Sequence, residues 1–198
     1  FRDVYLLPWK LEEDRIRIED VNPDAFDSPE ERARVASILE RYNQETTYTP
    51  LLDAEFAQLA RERTARHPLR TYLRVPLGRL VTLWLTPRTE MLPYSGHLWP
   101  LGEKWEEDPM DVSVTLGLGF LNFVFLGLAI AGGSRVLGQT HEEFVRARLG
   151  LWVVLAFVVI RSAFLTQIET PEPRYVLVCY PALLAVAAQL WARPADTD

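Results

Sequence analysis

The chain has 198 residues, a formal net charge of -6 and a single cysteine, Cys179. The acidic balance argues against nucleic acid as a partner, because nucleic-acid phosphates are bound mainly through Lys and Arg. One cysteine excludes an internal disulfide and a zinc ribbon. Residues 1–111 hold 15 of the 21 basic and 21 of the 27 acidic residues. The sequence therefore predicts a polar part followed by an apolar part.

The polar part begins with an irregular stretch and continues with two predicted helices. Residues 1–28 show no sustained period, which indicates extended or loop structure. Ser28 before Pro29 is typical of a helix start, and Glu31 is spaced to close a capping box. The predicted buried stripe of this helix is Val35, Ile38, Leu39 and Tyr42, opposite Glu31, Arg34 and Arg41. The second predicted helix starts after Thr49-Pro50 and ends at His67-Pro68, with Leu52, Phe56, Leu59 and Ala60 on its inner face.

The segment 69–86 is apolar but also contains Arg70, Arg74 and Arg79. Because arginine is costly at the centre of a bilayer, we expect this segment to lie in the membrane interface as an amphipathic helix. Residues 1–111 are accordingly expected to form a polar, helical region outside the membrane.

Three apolar runs follow, at 112–131, 149–168 and 175–192. A transmembrane helix needs about 20 apolar residues. The first two runs have this length and the third is slightly shorter, so each is expected to cross a bilayer. The predicted fold is therefore an all-α integral membrane architecture. It has three C-terminal transmembrane helices behind a polar helical region with an interfacial segment.

Lysine and arginine in short flanks predict the orientation of these spans. The loop 132–148 carries Arg135, Arg146 and Arg148, so we expect it and the tail 193–198 to be cytoplasmic. Residues 1–111 and the loop 169–174 are then expected on the outer side of a cytoplasmic (inner) membrane. The chain opens at Phe1 without a signal-peptide pattern, and we expect it to be the later part of a longer multi-pass protein.

The outer loop before the third run concentrates polar groups in a few residues. Glu172, Arg174 and Tyr175 lie beside two prolines that stiffen the backbone, and Arg174 could fork onto phosphate oxygens. A plain turn with interfacial Arg and Tyr anchors explains the same residues. The two interpretations have equal weight from sequence alone.

Arg161 is a further candidate, since it interrupts the second apolar run. An arginine inside a span needs a partner, and an anionic lipid phosphate or a sugar would provide one. The blander interpretation is that the span ends near Arg161 and the side chain reaches the outer interface.

Arg63, Arg66, Arg70 and Arg74 recur at helical spacing. They form either a basic surface for anionic headgroups or a salt-bridged face with Glu62. The glycines Gly117, Gly119, Gly127, Gly132 and Gly133 indicate close helix packing. The three histidines have no metal-type spacing, and no metal site or cofactor motif is identifiable.

Several residue patterns, taken together, resemble a known family. They are His67-Pro68-Leu69-Arg70-Thr71-Tyr72-Leu73, Arg79-Leu80-Val81-Thr82-Leu83-Trp84, Pro87-Arg88-Thr89-Glu90-Met91-Leu92-Pro93, and Glu172-Pro173-Arg174-Tyr175 before Tyr180-Pro181-Ala182-Leu183. Together they resemble the C-terminal half of bacterial membrane glycosyltransferases related to dolichyl-phosphate-mannose-protein mannosyltransferases, over roughly residues 50 to 192.

The resemblance implies a C-type glycosyltransferase that moves a sugar, a mannose-type hexose, from a polyprenyl-phosphate donor to an acceptor at the outer membrane face. The catalytic aspartate expected from it lies N-terminal to this chain, often with a divalent metal, so this fragment alone should be inactive. It would pack against the remaining transmembrane part of the same protein and against membrane lipid. Within it, Glu172, Arg174, Tyr175 and Arg161 are the candidate substrate-binding residues.

Two other functions fit the same pattern. A transporter or flippase fragment would also place Arg161 and Pro181 within its spans. A noncatalytic membrane-anchored assembly subunit would use residues 1–111 to bind a partner.

Overall fold

The structure is a computed structural model that describes residues 15–47, 49–89, 92–96, 98–139, 144–168 and 172–192. The chain forms two compact units, residues 1–79 and residues 80–198. All regular elements in these ranges are helical. The predicted all-α class is confirmed, while the predicted cytoplasmic tail 193–198 lies outside the described residues.

The first unit is built on two helices whose starts the sequence predicts correctly. Helix α1 (Pro29–Glu45) begins where the Ser28 hydroxyl accepts a hydrogen bond from the Glu31 amide at 3.2 Å. Helix α2 (Pro50–Arg66) begins where Thr49 accepts one from the Leu52 amide at 3.4 Å. The Glu31 carboxylate accepts from the amide of Asp27, 3.3 Å away, so the capping box closes one residue earlier than a standard box.

The two helices enclose a small apolar core. The predicted stripe of α1 is buried, with Val35, Ile38, Leu39 and Tyr42 all at 2% exposure or less. From α2, Leu52 and Leu59 complete the core and Phe56 packs against it. The prediction is wrong for Ala60, which is exposed, and for Glu31, which is buried instead of facing solvent.

A further helical stretch covers residues 68–85, after the break at His67 that the sequence predicts. Its turn Arg70–Arg74 is π-helical, and its remainder is helix α3 (Val75–Leu85), within which the boundary between the two units falls. The exposed apolar side chains of this stretch include Leu69, Tyr72, Leu73, Leu77, Val81 and Leu85. This composition suits the amphipathic helix expected here.

The second unit contains the short helix α4 (Leu101–Glu107) and two long apolar helices, α5 (Pro109–Gly138) and α6 (Phe144–Leu165). Both long helices are long and apolar enough to cross a membrane, and 17% of the residues in the apolar window of each are buried. Such low burial is unlike the core helix of a water-soluble domain. Both extend into the predicted loop 132–148. Helix α5 continues for another turn and a half past Gly133, and α6 already begins at Phe144.

The third apolar run differs most from its prediction. Residues Pro173–Cys179 form a 3-10 helix, and an α-helix, α7, covers only Tyr180–Ala188. Pro181 explains the change, since its ring would clash with the carbonyl four residues earlier in a continuous α-helix, whereas proline is well tolerated in the first turn. A third uninterrupted α-helical span over 175–192 is therefore absent from the described residues.

Close packing of α5 against α7 is the main contact of the second unit. A Cβ added at Gly132 would overlap the carbonyl oxygen of Val186 and lie 3.1 Å from the Cα atom of Ala187. A Cβ added at Gly133 would lie at ordinary contact distance, 3.5 Å from Leu151 and 3.6 Å from Val186. The close packing predicted for the glycines is confirmed at these two positions, whereas a Cβ added at Gly119 would contact Pro87 at 3.8 Å and one added at Gly117 or Gly127 would meet no other element within 4 Å.

Arg135 joins the far ends of the same two helices. Its guanidinium donates to the carbonyl of Leu190 and, at 2.9 Å, to that of Ala192, just beyond the end of α7. Earlier on α5, Asn122 contacts Tyr180 at the start of α7. The two helices therefore run in the same direction, and the cation offsets the partial negative charge at the carboxyl end of α7.

Candidate functional site

The predicted outer-loop residues come together at the start of the 3-10 helix. Glu172 and Arg174 form an ion pair, with side chains that are 43% and 47% exposed. The Arg174 guanidinium lies over the Tyr175 ring, 5.8 Å from its centre. The carboxylate, the guanidinium and the phenol form one half-exposed group that a ligand can reach.

Arg161 lies on α6, one turn before the helix ends at Leu165. Its terminal nitrogen Nη2 donates to the backbone carbonyl of Tyr175 at 3.3 Å. Its Nε is buried and has no hydrogen-bond partner among the described residues. Arg161 therefore lies near the end of the helix, as the blander interpretation expects, and its side chain contacts the backbone of the candidate loop.

Arg88 contacts the same segment and was not a predicted site residue. Its guanidinium donates to the hydroxyl of Tyr180 at 3.0 Å, to the carbonyl of Pro173 at 3.3 Å and to that of Trp84 at 3.1 Å. The backbone of Arg88 has a positive φ of 69°, which is uncommon for a residue with a side chain. Arg88, three residues after the end of α3, thus has a left-handed backbone conformation, and its side chain reaches the 3-10 helix.

Tyr180 is the centre of a mixed polar and aromatic cluster. Its ring is stacked with those of Phe125 and Trp84, whose ring centres are 4.8 Å and 6.2 Å away, and the Arg88 guanidinium lies 5.5 Å from its ring centre. Its hydroxyl donates to the side-chain carbonyl of Asn122, which is 4% exposed. The Asn122 amide in turn donates to the Trp84 carbonyl at 2.8 Å. The Arg88 guanidinium, the Tyr180 hydroxyl and the Asn122 side-chain amide are thus all hydrogen-bonded within the cluster.

Trp84 extends the cluster to α6. Its indole N–H donates to the hydroxyl of Ser162 at 2.9 Å, and Ser162 is 6% exposed. Beside it, Leu83, Leu165 and Val176 form a buried apolar core. Hydrogen bonds and apolar packing together fix the end of α3 against α6 and the 3-10 helix.

Among the described residues of this site, three arginines and one carboxylate meet. Arg88 and Arg161 each donate to a carbonyl of the 3-10 helix, and Arg174 belongs to it. Glu172 offsets one of these three positive charges. A partly dehydrated position beside several guanidinium groups favours an anion, and planar guanidinium groups are well matched to phosphate or carboxylate.

The basic stripe of the first unit has a different role. Arg63 and Arg66 pair with the buried Glu31, with Arg63 Nε 2.7 Å from the carboxylate, and Arg70 pairs with Asp27 at 3.0 Å. These three arginines are salt-bridged, as the blander interpretation held, but their carboxylate partners are Glu31 and Asp27. Glu62 pairs with Arg34 instead.

These ion pairs also determine the protonation of the two carboxylates. The hydrogen bond from Arg70 holds the pKa of Asp27 below its ordinary value, against a smaller opposing effect of burial. For Glu31, burial is the largest single effect and would raise the pKa, but hydrogen bonds from Arg63 and Arg66 outweigh it, so the pKa is lowered.

A metal ion finds no ligand set in the described part of the chain. No group of three or more His, Cys, Asp or Glu side chains there is placed to hold one. The divalent metal that the family resemblance implies therefore has no ligands among these residues, and no chemical step is derived through it.

Comparison with known proteins gives no relative. A scan against protein-family models, a search of curated proteins and a search of solved structures each returned no match to this chain.

Proposed function

We propose that this chain is the C-terminal part of an integral membrane glycosyltransferase that transfers a mannose-type hexose from a polyprenyl-phosphate donor to an acceptor at the outer membrane face. The segment 172–175, with Arg161, forms part of the donor site. The catalytic aspartate belongs to a more N-terminal part of the full-length protein. The protein is multi-pass in the cytoplasmic membrane.

The observation that supports this proposal is that Arg88, Arg161 and Arg174 all contact one short segment, in which the described carboxylate, Glu172, is paired to Arg174. A polyprenyl-phosphate sugar has its phosphodiester at the membrane surface and its chain in the lipid. A half-exposed guanidinium beside apolar helices is suited to such a ligand, since the charge meets the phosphate while the neighbouring surface meets the chain.

The membrane placement rests on lengths and composition. Helices α5 and α6 are long and apolar enough to cross a membrane. We place the third crossing at residues 175–179 of the 3-10 helix together with helix α7. At about 2.0 Å and about 1.5 Å per residue these cover roughly 24 Å, somewhat less than the hydrocarbon thickness of about 30 Å, and Arg174 stays at the membrane surface. In this arrangement the stretch 69–86 lies in the outer interface.

The test is a transfer assay on the full-length protein in membrane vesicles, with a radiolabelled polyprenyl-phosphate hexose as donor. Wild type is compared with Arg174→Ala, and Arg61→Ala, which removes an exposed arginine from α2, serves as the matched control. We expect Arg174→Ala to lower transfer at least 30-fold, about 2 kcal/mol in a charge-assisted hydrogen bond, with Arg61→Ala unchanged.

Three outcomes would count against the proposal in different ways. Full transfer by Arg174→Ala would make the loop a structural turn and move the donor site elsewhere. No consumption of donor by wild type, at verified expression, would instead favour a transporter or flippase. Normal cell-envelope assembly in every variant of the segment would favour a noncatalytic anchored subunit.

A further inference from the structure

Arg88 holds both ends of the 3-10 helix at once. One guanidinium donates to the carbonyl of Pro173, the first residue of that helix, and to the hydroxyl of Tyr180, the residue directly after it. A third donor nitrogen is bound to the carbonyl of Trp84. The planar, five-donor guanidinium can make these three contacts in one fixed orientation, whereas a lysine ammonium is a single point.

The partner at the far end is itself immobilised. The Tyr180 ring is stacked with those of Phe125 and Trp84, and its hydroxyl is also bound to the buried Asn122. Asn122 is bound in turn to the carbonyl of Trp84, which also accepts from Arg88. The contacts form a closed ring of hydrogen bonds through Arg88, Tyr180, Asn122 and Trp84. The ring can shift only if several hydrogen bonds break together.

We infer that Arg88 is a positioning residue for the donor site: with Tyr180 and Asn122, it fixes the 3-10 helix and thereby the placement of Arg174. This inference rests on the proposed function for its kinetic consequence. The positive φ of Arg88 is consistent with the role, since an uncommon backbone conformation persists where surrounding contacts determine it. A small loss of placement at a charged group is enough to weaken binding of its ligand.

The experiment combines amide hydrogen exchange with kinetics on the full-length protein in nanodiscs. In Arg88→Lys, we expect the amides of residues 174–180 to exchange at least 10-fold faster, with those of α5 unchanged. We also expect the KM for polyprenyl-phosphate hexose to rise at least fivefold while the KM for acceptor is constant. A merely structural role would lower the active fraction, and so the apparent kcat, without changing the donor KM.

A milder variant protects the test against misfolding. Tyr180→Phe keeps the ring stack and removes the hydroxyl that Arg88 and Asn122 share, so it should change exchange and donor KM in the same direction by a smaller factor. Tyr72→Phe is the matched control, because Tyr72 is 73% exposed. It should change neither the amide exchange of residues 174–180 nor the donor KM.

The outcomes separate this inference from the proposed function. Unchanged exchange at 174–180 in both Arg88→Lys and Tyr180→Phe would overturn the positioning role. Should wild type turn over no donor, the proposed function fails, and the exchange measurement alone still decides whether Arg88 fixes the segment.

Discussion

Replacing Gly132 by alanine tests the packing of α5 against α7. The added methyl group would overlap the carbonyl oxygen of Val186 and lie 3.0 Å and 3.1 Å from the Val186 carbonyl carbon and the Ala187 Cα atom. These are backbone atoms, so the helices must separate, and overpacking of this kind costs about 1 to 3 kcal/mol. Alanine also favours the helix over glycine by about 1 kcal/mol, which offsets part of that cost.

Gly133→Ala is the matched control, because it brings the same gain in helix propensity at the neighbouring residue. Its added methyl group would meet side-chain atoms of Leu151 and Val186 at 3.5 Å and 3.6 Å, which are ordinary contact distances. The difference between the two variants therefore isolates the overlap. We expect Gly132→Ala to be less stable than Gly133→Ala by about 1 to 3 kcal/mol.

Maleimide labelling of Cys179 measures this difference. It is the single cysteine of the chain and its side chain is completely buried beside α7, so the labelling rate reports local opening. A difference of 1 to 3 kcal/mol corresponds to roughly 5-fold to 150-fold faster labelling in Gly132→Ala than in Gly133→Ala. Equal rates in the two variants, with both folded, would refute the close contact of α5 with α7.

Three further predictions concern other parts of the chain. Because the folded-state pKa values of Asp27 and Glu31 are lowered, the stability from their ion pairs is present above about pH 4 and should be lost as the pH falls through the folded-state pKa values. Circular dichroism of the helices as a function of pH measures this loss. A pH-independent signal down to pH 2 would contradict it. Glu31→Gln should destabilise the first unit by about 2 kcal/mol in denaturant unfolding at pH 7, because two partly exposed arginines lose their buried charged partner; a change under 0.5 kcal/mol would contradict it. Arg135→Gln should increase amide exchange at residues 186–192 about 5-fold to 10-fold, since the carbonyls of Leu190 and Ala192 lose a charged donor; unchanged exchange there, with Gln189→Ala as the control, would contradict it.

Local signals in the sequence predicted the helix starts. Ser28-Pro29 and Thr49-Pro50 each combine a hydroxyl cap with a proline in the first turn, and both chemistries act within four residues. The break at His67 is equally local, since it depends on the proline that follows. The structure confirms all three boundaries.

Contacts between distant residues were beyond the reach of sequence periodicity. Glu31 looks like a surface residue of α1 until Arg63 and Arg66, 32 and 35 residues away, fold over it. Likewise, the guanidinium of Arg135 donates to carbonyls more than 50 residues later, those of Leu190 and Ala192, which no periodicity within α5 indicates.

The candidate site was predicted in part. Glu172, Arg174 and Tyr175 are adjacent in sequence, so their grouping was visible, whereas Arg88 lies 85 residues before Pro173. Arg88 and Tyr180 belong to the patterns that carry the family resemblance, and that was the one available signal for them. Asn122 offered a second, unused signal, since a polar amide inside an otherwise apolar helix needs a partner.

Binding of a polyprenyl-phosphate donor through its phosphate, by the segment 172–175 and its neighbouring arginines, can be measured directly. The experiment is native mass spectrometry of the full-length protein released from nanodiscs that are loaded with equal amounts of polyprenyl monophosphate and neutral polyprenol. We expect wild type to retain the monophosphate at least 10-fold over the polyprenol, Arg174→Ala to lose this preference and Arg61→Ala to keep it. Equal retention of the two lipids by wild type, or an unchanged preference in Arg174→Ala, would contradict binding of the donor phosphate at this segment.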